Sequence, residues 1–166
     1  MSVVSVRHAE RCDLEAITAL YNHFVETTAV TFDVGAFTPE AREPWFAQFA
    51  PEGPHQLFIA ERDGALAGYA GAMPFKAKKA YSTSVETTIY VSPDMAGLGV
   101  GQALYGALFS ALAGEDLHRA YSGIALPNAA SIRFHERFGF REIGTYHEVG
   151  RKFGRYHDVK WFEKRL

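Results

Sequence analysis

The chain has 166 residues, 48% of them hydrophobic and 22% charged, with a formal net charge of −2. That length fits one domain, residues 1–166, able to bury a substantial apolar core, and the composition excludes a disordered or membrane-embedded chain. The near-neutral balance, with no extended Lys/Arg run and no zinc-type spacing, argues for a small-molecule partner, no nucleic acid and no metal.

In chain order, Val3 to Arg7 read as a short strand. Cys12, the single cysteine, precludes an intrachain disulfide and reads as a small residue near a helix start. Asp13 reads as an N-cap before Leu14, Ile17, Leu20, Tyr21, Phe24 and Val25, which recur at helical spacing. Thr38-Pro39 predicts a second helix by the cap-then-proline rule, with Trp45, Phe46 and Phe49 on its apolar face and Pro44 shortening or kinking it. Leu57 to Glu61 and Leu66 to Met73 predict an antiparallel hairpin turning at Asp63-Gly64. A basic loop, Lys76-Ala-Lys-Lys79, leads to a strand over Val85 to Val91, rich in β-branched residues.

Glycines at 97, 99 and 101 follow, and then Val100, Leu104, Leu108, Ala111 and Leu112 mark a helix stopping near Gly114. Tyr121 to Leu126 predict a strand, Asn128 a cap, Ala129 to Phe138 a helix, and Gly139 its C′ residue. Two strands are expected over Phe140 to Glu148 and Tyr156 to Phe162. The order is mixed α/β, without repeats or an interdomain linker. The N-terminus lacks a signal-peptide pattern, and no run of about 18 apolar residues occurs, so a cytoplasmic protein with no membrane partner is expected.

Alternate glycines between a strand and a helix let the backbone approach a ligand and aim N–H groups at negative oxygens. This spacing points to a phosphate-bearing ligand, with a plain turn or tight helix packing as the alternative. It is not a dinucleotide fingerprint: that turn closes the first strand of its unit with Gly-x-Gly-x-x-Gly spacing, whereas some ninety residues and a hairpin precede this one. Nor does a Walker lysine follow Gly101, where Gln102 stands.

Several motifs in order carry a resemblance over nearly the whole chain: Thr27-Thr-Ala29, Ala80-Tyr81, Val85-Glu-Thr-Thr-Ile-Tyr-Val91, Gly97-Leu-Gly-Val-Gly101, Leu126-Pro-Asn-Ala-Ala-Ser131, His135-Glu-Arg-Phe-Gly-Phe140 and Gly150-Arg-Lys-Phe-Gly-Arg-Tyr-His-Asp158. The chain resembles the GNAT superfamily, and within it the phosphinothricin and methionine sulfoximine N-acetyltransferases. The resemblance implies a mixed, mostly antiparallel twisted sheet flanked by helices. Acetyl-CoA would lie where two parallel strands diverge, near Val91 and near Ala125. It implies cofactor contacts from Ile89, Tyr90, Val91, Gly97, Leu98, Gly99, Val100, Gly101, Gln102 and Asn128. The chain departs from the family motif at Ala96, where Gln or Arg is usual, so charge-assisted side-chain contacts are lost and the backbone must hold the pyrophosphate.

Acetyl transfer to an amine with a pKa of about 8 or higher needs a base. Glu86 is the polar residue among apolar Val85, Ile89 and Val91. The pattern alone fits a solvent-facing strand residue equally well, and the resemblance places the family's catalytic glutamate here. His135 matches a family histidine near the thioester, with a packing or capping role as the alternative. Lys76 and Lys78 match a loop that contacts an amino-acid carboxylate, although lysine lacks arginine's bidentate fork. Thr87, Thr88 and Lys152 are further substrate candidates. Tyr81 and Phe32 are candidate pocket walls, although such aromatics also serve as core.

The implied function is N-acetylation of the α-amino group of a small amino acid or analogue, of the phosphinothricin or methionine sulfoximine type, in a detoxifying role. Alternatives are another amine, such as a polyamine or protein N-terminus, and a non-catalytic acyl-CoA-binding module. By analogy the protein is a homodimer.

Overall fold

The computed structural model describes residues 3–166. The first strand, β1, is confined to Ser5–His8. A 3-10 turn over Arg11–Asp13 precedes α1 (Leu14–Thr27). Asp13 therefore lies inside that turn and makes no side-chain cap to α1. Its carboxylate instead accepts from the Glu10 N–H at 2.7 Å and pairs with Arg7 at 2.8 Å. The local acid-before-helix pattern was right about where the helix starts and wrong about what Asp13 bonds. Thr38 does cap α2 (Pro39–Phe46), accepting from the Ala41 N–H at 3.2 Å.

The hairpin of β2 (Leu57–Arg62) and β3 (Ala65–Pro74) turns at Asp63-Gly64, both with positive φ, as that two-residue turn requires. β4 spans Ser84–Val91, α3 Val100–Leu112 and β5 Arg119–Ala125. Asn128 caps α4 (Ala129–Arg137), and Gly139 adopts φ 81° just beyond it. The last two strands are longer than the sequence suggests. β6 (Arg141–Lys152) and β7 (Arg155–Arg165) form one hairpin turning at Phe153-Gly154, and two register shifts in β6 interrupt the alternation that would have marked it.

These strands make one seven-stranded sheet in the order β1-β2-β3-β4-β5-β7-β6. Every pairing is antiparallel except β4 with β5. Strand periodicity then sorts the side chains. Phe58, Ala60, Ala70, Ala72 and Val85 join Val100, Leu104, Tyr105, Leu108 and Leu112 of α3 in the main core. Leu57, Ile59 and Tyr69 point the other way, towards Ile17 of α1 and the aromatic end of α2. Small residues on the first face let α3 seat closely, and burying each of its leucines contributes about 1.5–3 kcal/mol.

β4 and β5 pair only over Ser84–Glu86 with Arg119–Tyr121. Beyond that, β4 stays with β3 as far as Val91 and β5 stays with β7 as far as Ala125. The sheet therefore opens between them, on the side where the glycine turn begins α3.

Candidate active site

The opening holds a cleft of about 780 Å3. One wall is Thr87 to Val91 of β4, the other Ser122 to Ala125 of β5, and its floor is the glycine turn with the start of α3. The backbone of β4 presents donors to it. Thr83 receives the His118 N–H from the β5 side, and the Ser92 N–H goes to Ala67 on the β3 side. Strand alternation turns the odd-numbered peptide groups towards β5. Where β5 has moved away, the N–H groups of Ile89 and Val91 face the cleft.

At the turn, Gly97 and Gly99 have φ of 77° and 81°, a conformation that L side chains resist, and a Cβ on either would meet nothing within 4 Å. Glycine is needed there for backbone conformation. At Gly101 space is tight, since a Cβ would lie 3.1 Å from the Phe134 ring of α4. The first N–H groups of α3, at Val100, Gly101 and Gln102, have no carbonyl one turn back within the helix. Together with the helix dipole they make an anion-attracting site of the kind that could hold a pyrophosphate. Gly97, Gly99, Val100, Gly101, Gln102, Asn128, Ile89, Tyr90 and Val91 all line the cleft. Asn128 combines this position with its cap, its Oδ1 accepting from the Ser131 N–H at 3.2 Å.

Leu98 does not line it. The residue is 49% exposed on the outer side of the turn, and its N–H is already donated to the Met95 carbonyl at 3.3 Å. In place of the basic residue missing at Ala96, the one cation in the described wall is Arg137, from the last turn of α4. A side chain forty residues further along the chain carries no spacing signal that ties it to the turn.

A second cavity of about 350 Å3 continues from the first on the α1–α2 face of the sheet, and Thr87, Thr88, Tyr90, Gly123 and Ala125 line both. Glu86 lines this second cavity. Period-two alternation puts Glu86, Thr88 and Tyr90 on its side of β4, with Val85, Thr87 and Ile89 towards α3. Burial alone raises the Glu86 pKa above the usual carboxylate range. Tyr90, nearly enclosed by Tyr21, Phe24 and Tyr69, is pushed up to about 12, burial being the largest cause.

His135 is fully engaged and only 2% exposed. Its Nδ1 lies 2.8 Å from the Ser131 carbonyl, which can only accept, so Nδ1 carries the proton. Nε2 is then the acceptor for the Ser122 hydroxyl at 3.0 Å, with the Tyr105 oxygen, whose single hydrogen goes to Thr87, also at 3.0 Å. Desolvation, partly offset by the Ser131 carbonyl, lowers its pKa and keeps the ring neutral. The sequence-based expectation of a proton-donating His135 is therefore corrected: no lone pair or N–H remains for substrate. Thr87 is likewise turned away. Its hydroxyl accepts from Tyr105 at 3.3 Å and donates to the Tyr121 carbonyl at 3.4 Å, so its backbone borders the cavities while its side chain serves the core. Thr88 lines both cavities.

The cationic substrate candidates fare worse. Lys76, Lys78 and Tyr81 line neither cavity. The Lys76 ammonium sits over the Phe75 and Tyr81 rings, at 5.3 and 5.5 Å, on the loop outside. Lys152 is 4% exposed and donates to the Thr31 carbonyl at 2.9 Å, tying β6 to the loop after α1; burial lowers its pKa. Phe32 does line the second cavity.

Pattern reading missed the rest of that wall: Tyr21 from α1, Arg42 and Trp45 from α2, Tyr69 and Met73 from β3, and Val159 and Trp161 from β7. The helical spacing of Trp45 and the strand position of Tyr69 marked both as core, and nothing local distinguished an aromatic that borders a cavity from one that fills it. Among the described residues no group of three or more His, Cys, Asp or Glu is arranged to hold a metal ion.

Comparison with known proteins agrees with this geometry. A family model described as an acetyltransferase (GNAT) domain matches residues 6–161. The chain is 55% identical to a phosphinothricin N-acetyltransferase of Streptomyces coelicolor, over 98% of this chain and 96% of that one. It is 33% identical to an L-methionine sulfoximine/L-methionine sulfone acetyltransferase of Pseudomonas aeruginosa, over 98% and 94% of the two chains. Its fold superposes on a crystal structure of a GNAT superfamily phosphinothricin acetyltransferase from Sinorhizobium meliloti in complex with acetyl-CoA, with a TM-score of 0.92, 27% identity and coverage of 98% and 88%. A sheet opened between two parallel strands, a glycine turn feeding a helix N-terminus beneath the opening, and a full-length family match together place this chain in the GNAT acetyltransferase family, as an acetyl-CoA-dependent N-acetyltransferase.

Proposed function

We propose that the protein acetylates the α-amino group of a small amino acid or analogue of the phosphinothricin or methionine sulfoximine type, with Glu86 as the base. One observation carries the reading: a desolvated carboxylate with a raised pKa stands in a small cavity that opens directly onto the cofactor cleft. Acetyl-CoA supplies an activated acetyl thioester, with its pyrophosphate over Gly97 to Gln102 and its acyl end between β4 and β5. Glu86 takes the ammonium proton, directly or through one water, and its elevated pKa brings it nearer to that of the amine. The freed nitrogen lone pair attacks the thioester carbonyl carbon. Negative charge gathers on the carbonyl oxygen, where the Ile89 and Val91 N–H groups stabilise it; the C–S bond then breaks, and the second nitrogen proton passes to the departing thiolate, giving amide and free thiol. The names of the relatives support the substrate class.

The same reading makes residues 1–166 one catalytic domain working in the cytoplasm as a homodimer. The free thiol of Cys12 fits a reducing compartment. Ile143, Tyr146, Val149, Phe153 and Tyr156 are 49–60% exposed and all belong to the β6–β7 hairpin, an apolar surface suited to a second copy. The direct test is thiol release from acetyl-CoA across phosphinothricin, methionine sulfoximine, methionine sulfone, ordinary amino acids and polyamines. Turnover of the first group is expected, and turnover of polyamines alone would overturn the assignment.

A further inference from the structure

Residues 28–38 join α1 to α2, and Val30, Thr31 and Phe32 of this segment line the acceptor cavity. The segment has no helix or strand of its own, so its path is set by what grips it. α1 grips both ends. The Thr28 N–H donates to the Phe24 carbonyl at 3.1 Å, and the Asn22 side chain bonds Phe37 twice, donating to its carbonyl at 2.8 Å and accepting from its N–H at 2.9 Å. The middle is gripped from β6. Lys152 Nζ donates to the Thr31 carbonyl at 2.9 Å across 121 residues of chain. Phe32 lies so close to Gly150 that a Cβ there would stand 2.2, 2.5 and 2.6 Å from three of its ring carbons. Gly150 is not among the glycines with positive φ, so that position excludes larger residues by volume and not by backbone conformation.

Neither Gly150 nor Lys152 lines a cavity, yet each fixes a residue that does. Lys152 is 4% exposed and forms no ion pair among the described residues. An apolar side chain of similar length would fill the same space without the cost of desolvating an ammonium. What the ammonium adds is one directed bond, and its acceptor belongs to the cavity wall.

We propose that Gly150 and Lys152 are positioning residues for acceptor selectivity: β6 holds the Thr31-Phe32 wall where it sets how long an acceptor side chain the cavity takes. The inference rests on the amino-acid reading above and deepens it. Amino acids share their ammonium and carboxylate, so discrimination among them falls to the remainder of the side chain, which an apolar wall sorts by length. The two residues act in opposite senses. Gly150 gives the Phe32 ring room to sit back against β6, and Lys152 keeps the adjoining backbone from moving off.

The test is kcat/KM by thiol release for alanine, methionine, methionine sulfone, methionine sulfoximine and phosphinothricin. It compares wild type with Gly150→Ala, Phe32→Ala, the double variant of these two, and Lys152→Met. Gly150→Ala is expected to lower kcat/KM for the longest acceptor turned over by roughly 5- to 20-fold, through KM, with the shortest acceptor and the acetyl-CoA KM changed by less than about twofold. In the Phe32→Ala background the same substitution has no further effect, because the ring it displaces is gone. Lys152→Met releases the wall and narrows the difference between long and short acceptors by roughly 3- to 10-fold.

A merely structural role lowers activity equally for all acceptors, in step with Tm. Equal losses for every acceptor, a Gly150→Ala effect undiminished in the Phe32→Ala background, or unchanged selectivity in either Gly150→Ala or Lys152→Met overturns the proposal. Should Lys152→Met fail to fold, the Gly150 and Phe32 cycle decides alone. Should wild type acetylate polyamines only, the amino-acid reading fails separately, and the same cycle with polyamines of increasing length decides on the wall. Absence of turnover with every amine overturns both.

Discussion

The two halves of the active cleft are built on different principles. The cofactor half is made mainly of backbone: β4 peptide groups freed by strand divergence, left-handed Gly97 and Gly99, and the opening N–H groups of α3. The acceptor half is made mainly of side chains from α1, α2, β3, β4 and β7, with aromatic walls around one carboxylate and one guanidinium. Backbone recognition tolerates sequence change wherever the chain path is kept, which is why Ala96 can replace a basic residue without dismantling the floor. Side-chain recognition concentrates its energy in a few groups, so single substitutions in the acceptor half should alter the reaction more sharply.

The largest expected effect is at Glu86. Glu86→Gln should lower kcat by roughly 100- to 10,000-fold while leaving the acetyl-CoA KM unchanged, as read by thiol release. An unaltered kcat at every pH would sink its role as base. The same variant tests the pKa shift. Because the folded Glu86 pKa is raised, its ionised form opposes folding above that pKa. The penalty fades as pH falls towards the ordinary carboxylate value of about 4.3. Glu86→Gln should therefore have a higher Tm than wild type at neutral pH, with the difference closing on acidification.

Next in size is Gly99→Ala, whose signature is a change in acetyl-CoA KM alone. Forcing an L side chain to a φ of 81° costs about 1–2 kcal/mol, and relaxation of the turn should raise the acetyl-CoA KM several-fold with the acceptor KM unchanged. Should Gly99→Ala move both constants alike, the two halves do not act independently.

His135→Gln should have the smallest effect on chemistry and register mainly in stability. Removing a buried ring that accepts from Ser122 and packs against Tyr105 costs about 1–3 kcal/mol, seen in denaturant unfolding. Its depressed pKa also predicts how wild type responds to acid. The unfolded chain binds a proton below about pH 6.5 that the folded ring resists, so stability should decline from that pH downward, and less so in the variant. A kcat for His135→Gln as low as that of Glu86→Gln would restore the histidine to the chemistry.

Much of this protein was legible in its residues because the features concerned are local. Hydrophobic spacing located α1, α3 and α4. Asp63-Gly64 located a hairpin, Thr38 and Asn128 located caps, and alternate glycines located the turn. Each follows from a few adjacent dihedrals and hydrogen bonds, whereas the pattern left Glu86 equally readable as a solvent-facing residue and only the family resemblance singled it out. Only tertiary structure decided which polar groups remain free. His135 and Lys152 look functional in the chain yet end with their donors and acceptors satisfied by Ser131, Ser122 and Thr31. Arg42 looks like an ordinary helix arginine yet ends buried between two rings with a donor unmet. Whether a side chain is spent on the fold or left for a ligand depends on partners dozens of residues away, and strand order and helix packing, not local spacing, bring those partners into reach.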